Sequence, residues 1–197
     1  MSEAPSVYRA APPGRGTARE RLLAAADALF YEEGLNTVGI DRVIERAGVA
    51  KASLYNIFGS KDELIRSYLE AKHRSRRERL ERHLERYGTP RERLLGIYEW
   101  QAEVAADPGY RGCAFVRATS ELAAGSPVRQ VCDTSRAWLR GVFAQLAREA
   151  GFPRADELAG QLALLYDGAS VAAHMDGDKG APLRARALAA VLLDRVT

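Results

Sequence analysis

One glycine interrupts an otherwise continuous helical pattern between Ile40 and Phe58, and few folds accommodate that arrangement. On its N-terminal side Ile40, Val43, Ile44 and Ala47 recur at helical spacing, so Asp41 to Arg46 belong to a short amphipathic helix. On its C-terminal side Val49, Leu54 and Phe58 form an apolar face, and Lys51, Ser53, Tyr55 and Asn56 point away from it. Gly48 lies between, and glycine enters the left-handed backbone region that a tight turn requires without a steric penalty. Two short helices about such a turn, with the second polar on its outer side, make a helix-turn-helix. The second helix of that unit enters the DNA major groove.

The flanking sequence supplies helices to brace it. Thr17 and Glu20 have the spacing of a capping box, and Leu22, Ala25, Ala26, Leu29 and Phe30 form one stripe that Gly34 ends. Gly59 closes the second helix of the motif. Ser60 and Glu63 repeat the capping spacing for a fourth helix, with Leu64, Ile65, Tyr68 and Leu69 inward. From Lys72 to Arg86 that helix is densely charged, but Glu78, Glu81 and Glu85 interleave with the arginines, which suits a solvated face.

Thr89 caps a fifth helix carrying Leu94, Leu95, Ile97, Tyr98, Gln101 and Val104 on its inner side. Cys113 to Ala124 is a short sixth segment with Phe115, Ala118 and Leu122 aligned. Pro127 suits the first turn of a seventh helix, which Gly151 and Pro153 stop. An eighth runs from about Arg154 to Met175, and Pro182 opens a ninth. The expectation is an all-α fold of about nine helices. It divides into a mobile N-terminal tail over 1–16, a helix-turn-helix head over 17–62, and a larger helical domain over 63–197.

Composition narrows the function classes. A net charge of +3 and a pI near 9.0 are compatible with nucleic acid without diagnosing it. No apolar run approaches the ~20 residues that span a bilayer, and the N-terminus has no signal-peptide core, so a cytoplasmic protein with no membrane partner is expected. Cys113 and Cys132 have no metal-type spacing and read as free thiols. His73, His83 and His174 are the only histidines; His174 near Asp176 and Asp178 lacks a fourth ligand for a metal. Without a phosphate-cradling loop or an activated nucleophile, neither an enzyme nor a cofactor is expected.

Within the motif, Ala52, Ser53 and Asn56 are placed for base edges, Asn being able to pair bidentately with adenine. Lys51 and Tyr55 suit phosphate oxygens. Lys61, at the start of the fourth helix, joins backbone N–H groups in an anion site. One such head buries too little surface for tight specific binding, so a two-fold pair on a palindrome is expected.

Residues Thr17 to Leu64 resemble the N-terminal domain of TetR-family transcriptional repressors. Phe30, Gly34, Ile40, Val43, Ala47-Gly48-Val49, Leu54-Tyr55, Phe58, Lys61 and Leu64 fall at the family's spacing. A looser likeness extends to Gly112-Cys113-Ala114-Phe115 and Leu165-Tyr166-Asp167-Gly168. Two positions depart. The family starts its second helix with a Thr or Ser that caps it and touches phosphate; Val38-Gly39 stand there, so Thr37 or Gly39 would take that role. Ala50 opens the recognition helix, where the family often has Ser, Thr or Asn.

The resemblance implies a homodimeric repressor released from a palindromic operator in double-stranded DNA by a small-molecule effector, with coupling through the fourth helix. It implies a pocket for which Tyr98, Trp100, Phe115, Thr119, Trp138, Leu139, Phe143 and Tyr166 are the candidates. It also implies a dimer face on the last two helices, for which Leu158, Leu162, Leu165, Ala169, Leu188 and Leu192 are the candidates. The competing readings are an architectural protein that binds DNA without ligand gating, and an enzyme using the C-terminal cavity.

Overall fold

A computed structural model describes residues 16–195; the tail expected over 1–16 falls, but for Gly16, outside the described residues. Among the described residues there are nine helices and no strand. They are α1 (Ala18–Glu33), α2 (Ile40–Ala47), α3 (Lys51–Phe58), α4 (Lys61–Leu84), α5 (Pro90–Ala106), α6 (Ala114–Glu121), α7 (Pro127–Glu149), α8 (Ala155–Met175) and α9 (Ala181–Arg195). The local signals act where the sequence puts them. Thr17 and Thr89 each close a complete capping box, with Glu20 and Glu92 respectively, and Gly34 and Gly48 cap the ends of α1 and α2.

The helices form two compact units. The first takes in the chain up to Arg74 and also Cys113–Asp133; the second takes in Ser75–Gly112 and the chain from Thr134 onward. The expected boundary at 62/63 therefore differs from the division by compactness, and α4 and α7 contribute to both units. The reason is packing. Leu22, Val43 and Leu54 of α1 to α3 are buried in one cluster with Leu64, Tyr68 and Leu69 of α4, Phe115 and Ala118 of α6, and Val128 and Cys132 of α7. Three short helices alone cannot close a core of that size.

Polar contacts fasten α6 into this first unit. The Glu121 carboxylate accepts a hydrogen bond from the Asn36 backbone N–H at 2.8 Å, and Asn36 Nδ2 donates to the Glu121 carbonyl at 3.1 Å. Arg117 donates to the Tyr31 carbonyl, and its guanidinium lies over the Tyr31 ring. Lys72 pairs with Asp27 at 2.7 Å, tying α4 to α1.

In the second unit α5 packs on α8 and α9. Leu94, Ile97, Tyr98, Leu158, Leu162 and Leu193 are fully buried there. The charged stretch expected to be a solvated face is only partly so: Leu80, His83 and Leu84 face inward. His83 Nε2 lies 3.1 Å from the Tyr87 hydroxyl, which donates to Glu99 at 2.7 Å, and Arg186 of α9 donates to the other Glu99 oxygen at 2.6 Å. Burial and the Glu99 hydrogen bond push the Tyr87 phenol up to about 12. Gly96 makes room for this network, since a Cβ there would lie 2.5 Å from the Tyr87 ring.

Tyr87 and Arg186 hold the Glu99 carboxyl below the usual carboxylate range. A group depressed in the folded state contributes stability that is present above its ordinary pKa and lost as the pH falls through the folded value. Glu99→Gln is expected to lower stability at neutral pH and to flatten the loss below the usual carboxylate range. Urea denaturation midpoints followed from neutral to acid pH check this.

Candidate nucleic-acid interface

The turn between α2 and α3 rests on Gly48, whose φ of 62° and ψ of 44° are left-handed. Its N–H reaches back to Ile44 and Glu45, and its carbonyl accepts from Arg21 of α1 at 3.1 Å. Arg42 of α2 forms a two-pronged pair with Glu33 of α1, and Arg19 stacks over the Phe58 ring of α3. The motif is thus gripped by α1 at both its helices.

That grip fixes which face of α3 looks outward. Leu54 and Phe58 are buried; Lys51, Ala52, Tyr55 and Asn56 are exposed, and Ser53 is half-buried at the flank. The side chains expected to meet DNA therefore share the outer surface of one helix. Thr37 and Gly39 are exposed at the entrance to α2. Gly39 is the N-cap of α2 and Ala50 that of α3, neither with a side-chain hydrogen bond. The first N–H groups of both helices stay available to an anion. Lys61 opens α4, where Ser60 Oγ accepts from the Glu63 N–H at 3.1 Å.

Two neighbours of these residues are not among those expected to face DNA. Ile57 is exposed on α3, and Asp41 in the first turn of α2 accepts a hydrogen bond from Lys51 Nζ at 2.9 Å. That bond raises the Lys51 ammonium above its ordinary value. Periodicity could have placed Asp41 outward, but its meeting with Lys51 depends on the turn angle.

The eight pocket candidates are divided between the two units. Phe115 and Thr119 belong to the first unit, whereas Tyr98, Phe143 and Tyr166 pack ring against ring in the second, with centroids 5.9 to 6.3 Å apart. Tyr98 OH donates to the Leu162 carbonyl at 2.7 Å, and Trp100 and Leu139 are buried. Trp138 lies near the guanidinium groups of Arg76 and Arg77, and Arg76 donates to Ser135 and to the Tyr166 hydroxyl. A groove of about 820 Å³ in the second unit is lined by Arg77, Leu84, Arg93, Trp138, Val142 and Leu146 among others. Trp138 alone among the eight candidates lines it.

Of the six dimer candidates, Leu158, Leu162 and Ala169 are buried in their own chain, Leu165 and Leu192 are half-buried, and Leu188 is exposed. Further large apolar side chains face outward: Leu164 at 73%, Val171 at 48% and Met175 at 77% exposure on α8, with Leu183 and Val191 joining Leu188 on α9. Gly168 lies on the α8 stripe, with nothing near the position of its absent side chain.

Cys113 and Cys132 are free thiols, and burial pushes Cys132 up, away from the reactive thiolate. No group of three or more potential metal ligands occurs among the described residues, and no described helix is long and apolar enough to cross a membrane.

Comparison with known proteins agrees with this geometry. Residues 22–68 match the family model for bacterial regulatory proteins of the tetR family. A TetR-type transcriptional regulator from Streptomyces avermitilis is 33% identical, with a TM-score of 0.83 over 92% of this chain and 98% of that one. A TetR-family regulator from Streptomyces coelicolor is 29% identical, with a TM-score of 0.86 over 91% and 95%. The transcriptional repressor NemR of Escherichia coli is 29% identical over 133 residues, 66% of this chain and 65% of its own length.

The turn itself is testable. A Cβ at Gly48 would meet only the tip of Arg21, at 3.8 Å, so Gly48→Ala isolates the backbone strain of a left-handed residue. A loss of about 1–2 kcal/mol in stability is expected, read from urea unfolding.

Proposed function

Since the chain belongs to the TetR family of DNA-binding transcriptional regulators, we propose that it is a repressor of a palindromic operator and that a small-molecule effector releases it. The observation that carries this reading is the outer face of α3. Its apolar residues Leu54 and Phe58 are committed to the core, and Lys51, Ala52, Tyr55 and Asn56 stand together in solvent. Asn56 reads a base edge, with Ala52 and Ser53 beside it. The Tyr55 hydroxyl, the Lys61 ammonium and the uncapped starts of α2 and α3 at Gly39 and Ala50 take phosphate oxygens, with Thr37 at the rim. Repression, as against activation, is supported by the likeness to NemR, a repressor.

Regulators of this family bind DNA and act as dimers. The apolar stripe of Leu164, Val171 and Met175 on α8, continued by Leu183, Leu188 and Val191 on α9, is the face that we assign to the pairing. Large side chains exposed in a row are expensive to leave in water, and Gly168 lets a partner helix approach closely. The effector enters the second unit, where the aromatic residues of α5, α7 and α8 and the groove beside Trp138 offer the contacts. The site of action is the cytoplasm.

Tyr55→Phe should weaken binding to every duplex by a similar factor, whereas Asn56→Ala should alter which base is preferred at one position. Binding titrations on the chain's own upstream region and on random DNA at several salt concentrations separate the two; equal affinities for both duplexes at every salt would remove the reading altogether. Leu164→Glu should yield monomers by analytical ultracentrifugation and lose operator binding while keeping the helical content.

A further inference from the structure

A carboxylate stands among the groups that meet DNA. Asp41 lies in the first turn of α2, and its Oδ1 accepts a hydrogen bond from Nζ of Lys51, the first residue of α3, at 2.9 Å. The two side chains remain 82% and 60% exposed, so nothing of the protein core holds them. Exposed pairs of this kind add little to folding. Near a duplex, an acid also repels phosphates and weakens every sequence-independent encounter. A carboxylate in the first turn of α2 suits the positive end of that helix, but this does not require it to meet Lys51, and general affinity for DNA does not account for Asp41. The next cation along, Arg42, is already engaged by Glu33, so the start of α3 presents the Lys51 ammonium with the Asp41 carboxylate beside it.

The major groove has a counterpart for that pair. A G·C base pair shows two adjacent acceptors, guanine O6 and N7, followed by the amino donor of cytosine N4. An ammonium fits the acceptors and a carboxylate fits the amino group. An A·T pair inverts two of these groups, setting the adenine N6 amino donor against the ammonium and the thymine O4 acceptor against the carboxylate, so both contacts become repulsive.

We propose that Asp41 is a specificity-determining residue: together with Lys51 it reads one G·C base pair, the ammonium on guanine and the carboxylate on cytosine N4. Lys51 then contacts a base edge and not a phosphate. The inference rests on the DNA-binding reading of this face, and it adds a residue and a base to it.

The test is selection of preferred duplexes from a random-sequence library by the full chain, by Asp41→Asn and by Lys51→Ala, followed by titration of the selected site and its single-base variants. The wild-type chain is expected to select a half-site with a G·C pair at one position. Asp41→Asn is expected to lose roughly 10-fold discrimination at that position alone. Its affinity for unselected DNA should rise, most at low salt. Lys51→Ala should relax the same position. Circular dichroism melts confirm that the variants remain folded. An Asp41→Asn chain that keeps the wild-type preference at every position, or that weakens uniformly on all duplexes, overturns the assignment. Failure of the wild-type chain to select any sequence would instead overturn the operator reading on which it rests.

Discussion

The burial of Leu54 is the constraint on which the interface depends. It is the residue that turns the recognition helix inward on one side, and with Val43 and Leu22 it is wholly removed from solvent. A leucine buried this completely contributes ~1.5–3 kcal/mol, several times what any surface ion pair on the head supplies. Once Leu54 and Phe58 are seated, the polar residues of α3 have no other direction to face. The electrostatic details, including the Arg42–Glu33 and Lys51–Asp41 pairs, are adjustments made on a scaffold that packing has already oriented.

Those pairs also temper the reading of net charge. Much of the positive charge near α2 and α3 is locally offset: Arg42 by Glu33 and Lys51 by Asp41. Cations already paired in this way contribute less to counterion release on binding than free ones. Two heads acting together add to affinity, which agrees with an apolar face on α8 and α9 that the chain's own described residues leave exposed.

Local physics made the helices legible in the sequence, and non-local packing hid much of the rest. Thr17 with Glu20, Thr89 with Glu92, Gly34, Gly48 and Gly59 act within a turn of where they stand, so spacing alone reveals them. The outer face of α3 followed from the same argument. The membership of Phe115 and Thr119 in the first unit did not, because it depends on residues some eighty positions apart meeting, as Glu121 and Asn36 do. On α8 both sides are apolar: Leu158, Leu162 and Ala169 on one, Leu164, Val171 and Met175 on the other. Amphipathic contrast is then missing, and periodicity alone does not tell which side of α8 meets solvent. In α4 the arginines and glutamates masked Leu80 and Leu84, a pair at helical spacing that faces inward.

The place of Cys113–Asp133 in the first unit bears on how such regulators can be recombined. A DNA-reading head cut at 62/63 and joined to a foreign sensor domain would leave Leu64, Tyr68 and Leu69 to a stranger, and would leave behind Phe115, Ala118, Val128 and Cys132. A hybrid with a new operator preference has to exchange both stretches as one cassette, discontinuous in the gene though contiguous in space. Lineages that shuffle heads and sensors by single crossovers face the same geometry, and a recombination point inside α4 inherits half a core from each parent.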